Sequence, residues 1–147
     1  MASHDTVEEE IVVDASAARV WQALVDADQR RSWWSYIELE PVVGGRFCER
    51  WTASGQEVVT SGSVLELVPY RSLRMTWSDE TWLDDTEVEI SLAPSDLGTR
   101  VTVRQSGWDR LPDGQRLAEE HRVGWRMHLS HLRDHVEHDE GHDQNAP

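Results

Sequence analysis

Residues 44–52 read Gly44-Gly45-Arg46-Phe47-Cys48-Glu49-Arg50-Trp51-Thr52, and this stretch decides the fold. Two glycines permit a turn at positive φ. The residues after them alternate, which puts Phe47, Glu49 and Trp51 on one face of a strand and Arg46, Cys48 and Arg50 on the other. The same period of two continues along the chain. It predicts strands over 37–43, 46–52, 57–68, 72–78, 86–92 and 99–105, separated by Gly44-Gly45, Ser54-Gly55, Pro69-Tyr70, Asp84-Asp85 and the cluster 95–98. Connections this short make neighbouring strands pair antiparallel as a meander.

On the N-terminal side, Val7, Ile11 and Val13 share a face over 6–13, although Glu9 interrupts it, and an eight-residue strand follows from that pattern. Ser16 can cap a helix carrying Val20, Trp21, Leu24 and Val25, and a second short helix or turn over 28–35 carries Trp33 and Trp34. On the C-terminal side, residues 112–116 can begin a long helix. Its apolar stripe is Trp125, Leu129, Leu132 and Val136. Beyond the helix, 139–147 has nothing apolar to bury and is expected to be a disordered acidic tail. The expected architecture is α+β: a curved antiparallel sheet of about six or seven strands around the long C-terminal helix, with two short helices after the first strand, in one domain over 6–138. A sheet with one apolar face needs a cover, and only the last helix is long enough to supply it.

Composition narrows the function. At 147 residues the chain suits one domain, and folding can hide roughly 70% of its surface. All fourteen basic residues are Arg and the net charge is −14, which opposes binding to nucleic acid or to an anionic membrane. Without Lys there is neither Schiff-base chemistry on a lysine nor a Walker-type phosphate loop. The single Cys48 rules out an internal disulfide and a Cys-based zinc site, and no signal peptide or membrane span is legible. A cytoplasmic protein, monomeric or weakly dimeric, is expected. Eight Trp against one Phe and two Tyr indicate either a bulky core or an aromatic pocket.

The ordered landmarks Val20-Trp21, Trp33-Trp34, Gly44-Gly45-Arg46-Phe47, Gly62 with Pro69, Leu73 and Thr76-Trp77, Gly98-Thr99-Arg100-Val101, and Gly124-Trp125 with Leu129 and Leu132 resemble the START-like helix-grip superfamily. Within it they are similar to the bacterial homologues of the Hsp90 ATPase activator. The resemblance implies an internal apolar cavity between sheet and C-terminal helix. This fold hosts many functions, so the family alone does not choose among them.

The candidate ligand-binding residues are Trp34, Phe47, Glu49, Trp51, Met75, Trp77, Trp82, His121, Trp125 and His128. Glu49 is the sharpest anomaly, because a carboxyl between Phe47 and Trp51 either is desolvated with a raised pKa, pairs with an Arg, or belongs to a face turned to water. His128, His131, His135, His138 and His142 repeat at helical spacing and read as a solvated flank, while His121 and His128 lie nearest the apolar stripe. The leading function is binding of a small apolar molecule, without catalytic residues, metal or cofactor. The rivals are a polyketide cyclase-like enzyme, a self-resistance protein that captures a reactive natural product, and an Hsp90-type co-chaperone.

Overall fold

The computed structural model describes residues 6–144, apart from the side chains at 51, 53 and 139–144. Seven strands form one antiparallel sheet in the order β1-β7-β6-β5-β4-β3-β2. They are β1 (Thr6–Val13), β2 (Ile37–Leu39), β3 (Arg46–Ala53), β4 (Gln56–Val68), β5 (Ser72–Asp79), β6 (Thr86–Pro94) and β7 (Thr99–Ser106). Two helices, α1 (Ala17–Val25) and α2 (Ala27–Trp33), follow β1, and α3 (Gly114–Gln144) closes the chain after a 3-10 turn at Trp108–Arg110. Among the described residues no helix is long and apolar enough to cross a membrane.

Local chemistry explains most element ends. Ser16 caps α1 by accepting from the Arg19 amide at 3.1 Å, and Asp26 caps α2 by accepting from the Asp28 amide at 3.0 Å. Between β3 and β4, Ser54 and Gly55 take φ of 53° and 78°, the paired positive values of a two-residue turn that suits a twisted hairpin. β2 is shorter than expected, ending at Leu39 instead of residue 43. Pro41 has no N–H to give a ladder, and residues 40–45 form a turn in which Gly44 has φ of 83° and its N–H reaches Val64 O.

The helix α3 is assigned through Gln144, across residues 139–144 that composition places in a disordered tail; residues 145–147 lie outside the described residues. Once a helix is nucleated each added residue gains a backbone hydrogen bond without needing an apolar face.

The core lies where the alternation places it. Phe47, Leu73, Met75, Trp77, Val88, Ile90, Leu92, Val101 and Val103 are buried on one sheet face, and Trp125, Leu129, Leu132 and Val136 are buried on α3. Glu9, the residue that breaks the apolar face of β1, is only 14% exposed and holds α3 in place: Arg122 and Arg126 donate to its two oxygens at 3.1 and 2.9 Å.

A buried amide joins sheet and helix. Gln105 on β7 accepts from Trp125 Nε1 at 2.7 Å and donates through Nε2 to Thr86 Oγ1 at 2.9 Å. Thr86 in turn donates to Trp77 O at 2.7 Å, and Trp108 Nε1 donates to Gln105 O at 3.0 Å. Replacing Gln105 by Leu keeps the volume but orphans the buried Trp125 N–H, a loss of about 1–3 kcal/mol. Urea melts of Gln105→Leu are expected to register a drop of that size, whereas Arg31→Ala, which breaks only an exposed pair with Asp28, is expected to stay within about 0.5 kcal/mol.

Candidate functional site

The aromatic cluster between sheet and helix begins at the end of α2. Trp34 ends the helix with φ −144° and ψ 70°, and its buried indole donates from Nε1 to Glu49 Oε2 at 3.0 Å. Its ring centroid lies 4.5 Å from His128, 5.7 Å from Trp125 and 6.3 Å from Trp77. Phe47 stacks on Trp77 with centroids 4.8 Å apart, and Trp77 meets Trp125 at 5.2 Å.

Beside this cluster is a cavity of about 240 Å³, lined by Tyr36, Glu49, Trp77, Glu120, His121, Gly124, Trp125, Met127 and His128. It is smaller than the ~300–1,000 Å³ common for ligand pockets, so it suits a small molecule or one end of a larger one. Broader open grooves lie elsewhere, such as one of about 1020 Å³ around Tyr70 and Pro94, outside the aromatic cluster.

Of the ten residues singled out from sequence, Glu49, Trp77, His121, Trp125 and His128 line the cavity together. Trp34 and Phe47 are buried behind that wall, and Met75 is a core side chain. Trp82 is not among the lining residues: it packs against Trp108 at 5.6 Å and His121 at 5.5 Å, on the far side of the histidine. Its loop position, after β5, carries it toward the 3-10 turn. The side chain of Trp51 lies outside the described residues.

Tyr36, Glu120, Gly124 and Met127 complete the lining without having been singled out. A signal for three of them was present. Residues 120, 124 and 127 recur at i, i+4 and i+7, so they share one helix stripe, next to the stripe of 121, 125 and 128. Gly124 matters by what it lacks, since a Cβ built there meets nothing within 4 Å.

Burial governs the charges. Glu49 is 5% exposed, and desolvation pushes its carboxyl up to about 7, partly offset by the Trp34 hydrogen bond. No Arg pairs with it among the described residues. Burial likewise lowers His128 to about 4, with His131 and His121 adding repulsion, and lowers His121 despite its bond to Leu117 O. The Tyr36 hydroxyl is raised by burial and by Glu49. Near neutral pH the two histidines are therefore uncharged, and no cation lines the cavity. Trp77 Nε1 and His128 Nδ1 are buried without a hydrogen-bond partner. Each such group costs about 1–3 kcal/mol, so this wall is less well satisfied than the Gln105 hub.

The histidine flank of α3 is only partly solvated. His131 and His138 are exposed, but His128 and His135 are buried, because α3 is covered on this side by the segment around α2: His135 Nε2 lies 3.3 Å from Gln29 Oε1. Among the described residues no group of three or more His, Cys, Asp or Glu is arranged to hold a metal ion.

Comparison with solved structures places this geometry among known folds. A protein from Chromobacterium violaceum, CV1439, is 28% identical, with 90% of this chain and 98% of that one covered at a TM-score of 0.73. MLL2253 from Mesorhizobium loti is 25% identical over 90% and 97%, with a TM-score of 0.75. CalU16 from Micromonospora echinospora is 25% identical over 89% and 74%, with a TM-score of 0.67. Among curated proteins nothing matches the sequence. Residues 14–137 match the family described as activator of Hsp90 ATPase homolog 1-like protein, and the chain belongs to that family.

Proposed function

We propose that this protein binds a small, largely apolar molecule in the cavity under Gly124. The observation that carries the reading is the pairing of a hollow left by a helical glycine with a buried carboxyl that has no cation beside it. Glycine inside a helix is less favourable than alanine by about 1 kcal/mol, and here the missing side chain leaves room next to Trp77 and Trp125. Indole faces supply apolar contact, worth roughly 25 cal/mol per Å² of surface removed from water, and Glu49 orients the polar end of the ligand.

Proton transfer to a bound substrate is the second reading, and the same carboxyl favours it. A group with a value of about 7 holds its proton over part of the neutral range and can release it, as a general acid must. Turnover of a poly-β-keto substrate that survives Glu49→Gln would end this second reading. The self-resistance and co-chaperone roles draw on family resemblance and on nothing in the site.

Filling the hollow tests the binding reading. Gly124→Leu is expected to fold with a Tm equal to or above that of the parent, since the position is helical and its surroundings are open. It is expected to abolish the changes in Trp fluorescence and amide NMR shifts that a panel of small aromatic and lipid-like molecules produces around Glu49, Trp77 and Trp125. Binding that persists undiminished in Gly124→Leu would place the ligand elsewhere.

The same two buried groups set a pH signature. Glu49 has a folded value raised from 4.5 to about 7, so its contribution is lost as pH rises across that window. His128 has a folded value lowered from 6.5 to about 4, so stability is lost as pH falls from 6.5. Over the shared window the two effects oppose. Glu49→Gln is expected to gain about 3 kcal/mol relative to the parent between pH 4.5 and 7, read from urea melts at each pH. A constant difference between the two proteins would mean that the Glu49 carboxyl is not desolvated.

A further inference from the structure

We infer that the molecule taken by this cavity carries a positive charge: an amine or quaternary ammonium head on a small apolar body. The inference rests on the cavity reading above and adds the charge of the ligand to it.

Four observations converge. First, the walls are aromatic: Trp77 and Trp125 line the cavity 5.2 Å apart, with Tyr36 and the ring of His128 beside them. The negative face of an aromatic ring attracts a cation within about 6 Å of its centroid, most strongly for Trp and when water is excluded. Second, carboxyls stand at both ends. Glu49 is buried at the inner end, where Trp34 occupies Oε2 and no other hydrogen bond to the carboxyl is present among the described residues. Glu120 is exposed at the rim and pairs with Arg116 at 2.9 Å.

Third, no Arg lines the cavity. On the helix, Arg122 and Arg126 are paired with Glu9 on β1, and Arg116 with Asp113 and Glu120. The remaining titratable groups facing Glu49 are Tyr36 and the buried His121 and His128, all uncharged near neutral pH. A carboxylate taken from water without a counter-charge is costly, and a ligand cation supplies what the protein withholds. Fourth, the net charge of −14 draws cations toward the molecule and repels anions. A fatty acid or another carboxylate would meet Glu49, which has no counter-ion among the described residues.

One ring with three heads separates charge from shape: benzyltrimethylammonium and benzylamine as cations, benzyl alcohol as the neutral molecule, and benzoate as the anion. Binding is followed by the indole N–H and Gly124 amide resonances, which report the cavity and not the outer surface. At about pH 8 the cations are expected to bind at least about tenfold more tightly than benzyl alcohol, with benzoate unbound. At about pH 6, where Glu49 is largely protonated, the advantage should shrink. Glu49→Gln should bring the cations down to the level of benzyl alcohol measured in the same variant, and Gly124→Leu should block every probe.

Equal binding of cation and alcohol, binding of benzoate, or a cation advantage that survives Glu49→Gln would each overturn the inference while the cavity reading stands. Cation shifts that persist in Gly124→Leu and vanish in added salt would mean attraction to the acidic surface alone, and would overturn it too. If no probe perturbs the cavity resonances, both readings fall.

Discussion

The fully buried Gln105 side chain fastens the long helix to the sheet by giving each of its polar atoms a partner. Its oxygen takes the Trp125 indole N–H and its nitrogen bonds the Thr86 hydroxyl, which is itself bound to the backbone of Trp77. Apolar packing alone could let α3 slide or roll over the sheet, because dispersion and hydrophobic contact are weakly directional. A directed bond from Trp125 fixes both the rotation of the helix and the place where the two indoles meet. The pair Glu9 with Arg122 and Arg126 pins the helix along β1 in the same way, nearer the surface.

With the helix fixed, the cavity is what remains between surfaces that cannot approach further. Trp77, Trp125 and Trp34 are too large to interdigitate completely with Phe47 and His128, and at position 124 the helix has no side chain to fill the gap. Glu49 occupies the inner end because strand alternation gives it the buried face, whatever the cost to its charge. Under the proposed function, that cost is offset by a cationic group that arrives with the ligand.

The same framework separates two kinds of buried polarity. At Gln105 both side-chain polar atoms are hydrogen-bonded, which stabilises and rigidifies. Around Glu49, among the described residues, the carboxyl lacks a counter-ion and Trp77 Nε1 and His128 Nδ1 lack partners. The first group holds the fold together; the second is where buried polarity is least well satisfied.

The sequence by itself determined the architecture: alternation over the β strands, the Ser16 cap and the Trp125–Val136 stripe are local signals, because period and capping depend on residues close in the chain. It also marked Glu49, since a carboxyl between two aromatic residues of one strand face is anomalous before any partner is known. What the tertiary structure decided is which of the flagged side chains meet. Trp82 turned to Trp108, Phe47 and Trp34 became the backing of the wall, and Tyr36, Glu120, Gly124 and Met127 joined the lining. Those outcomes depend on how far α3 is rotated and where it crosses the sheet. Contacts made across 20 or more residues of chain set that rotation, as between Gln105 and Trp125, and no local pattern encodes it.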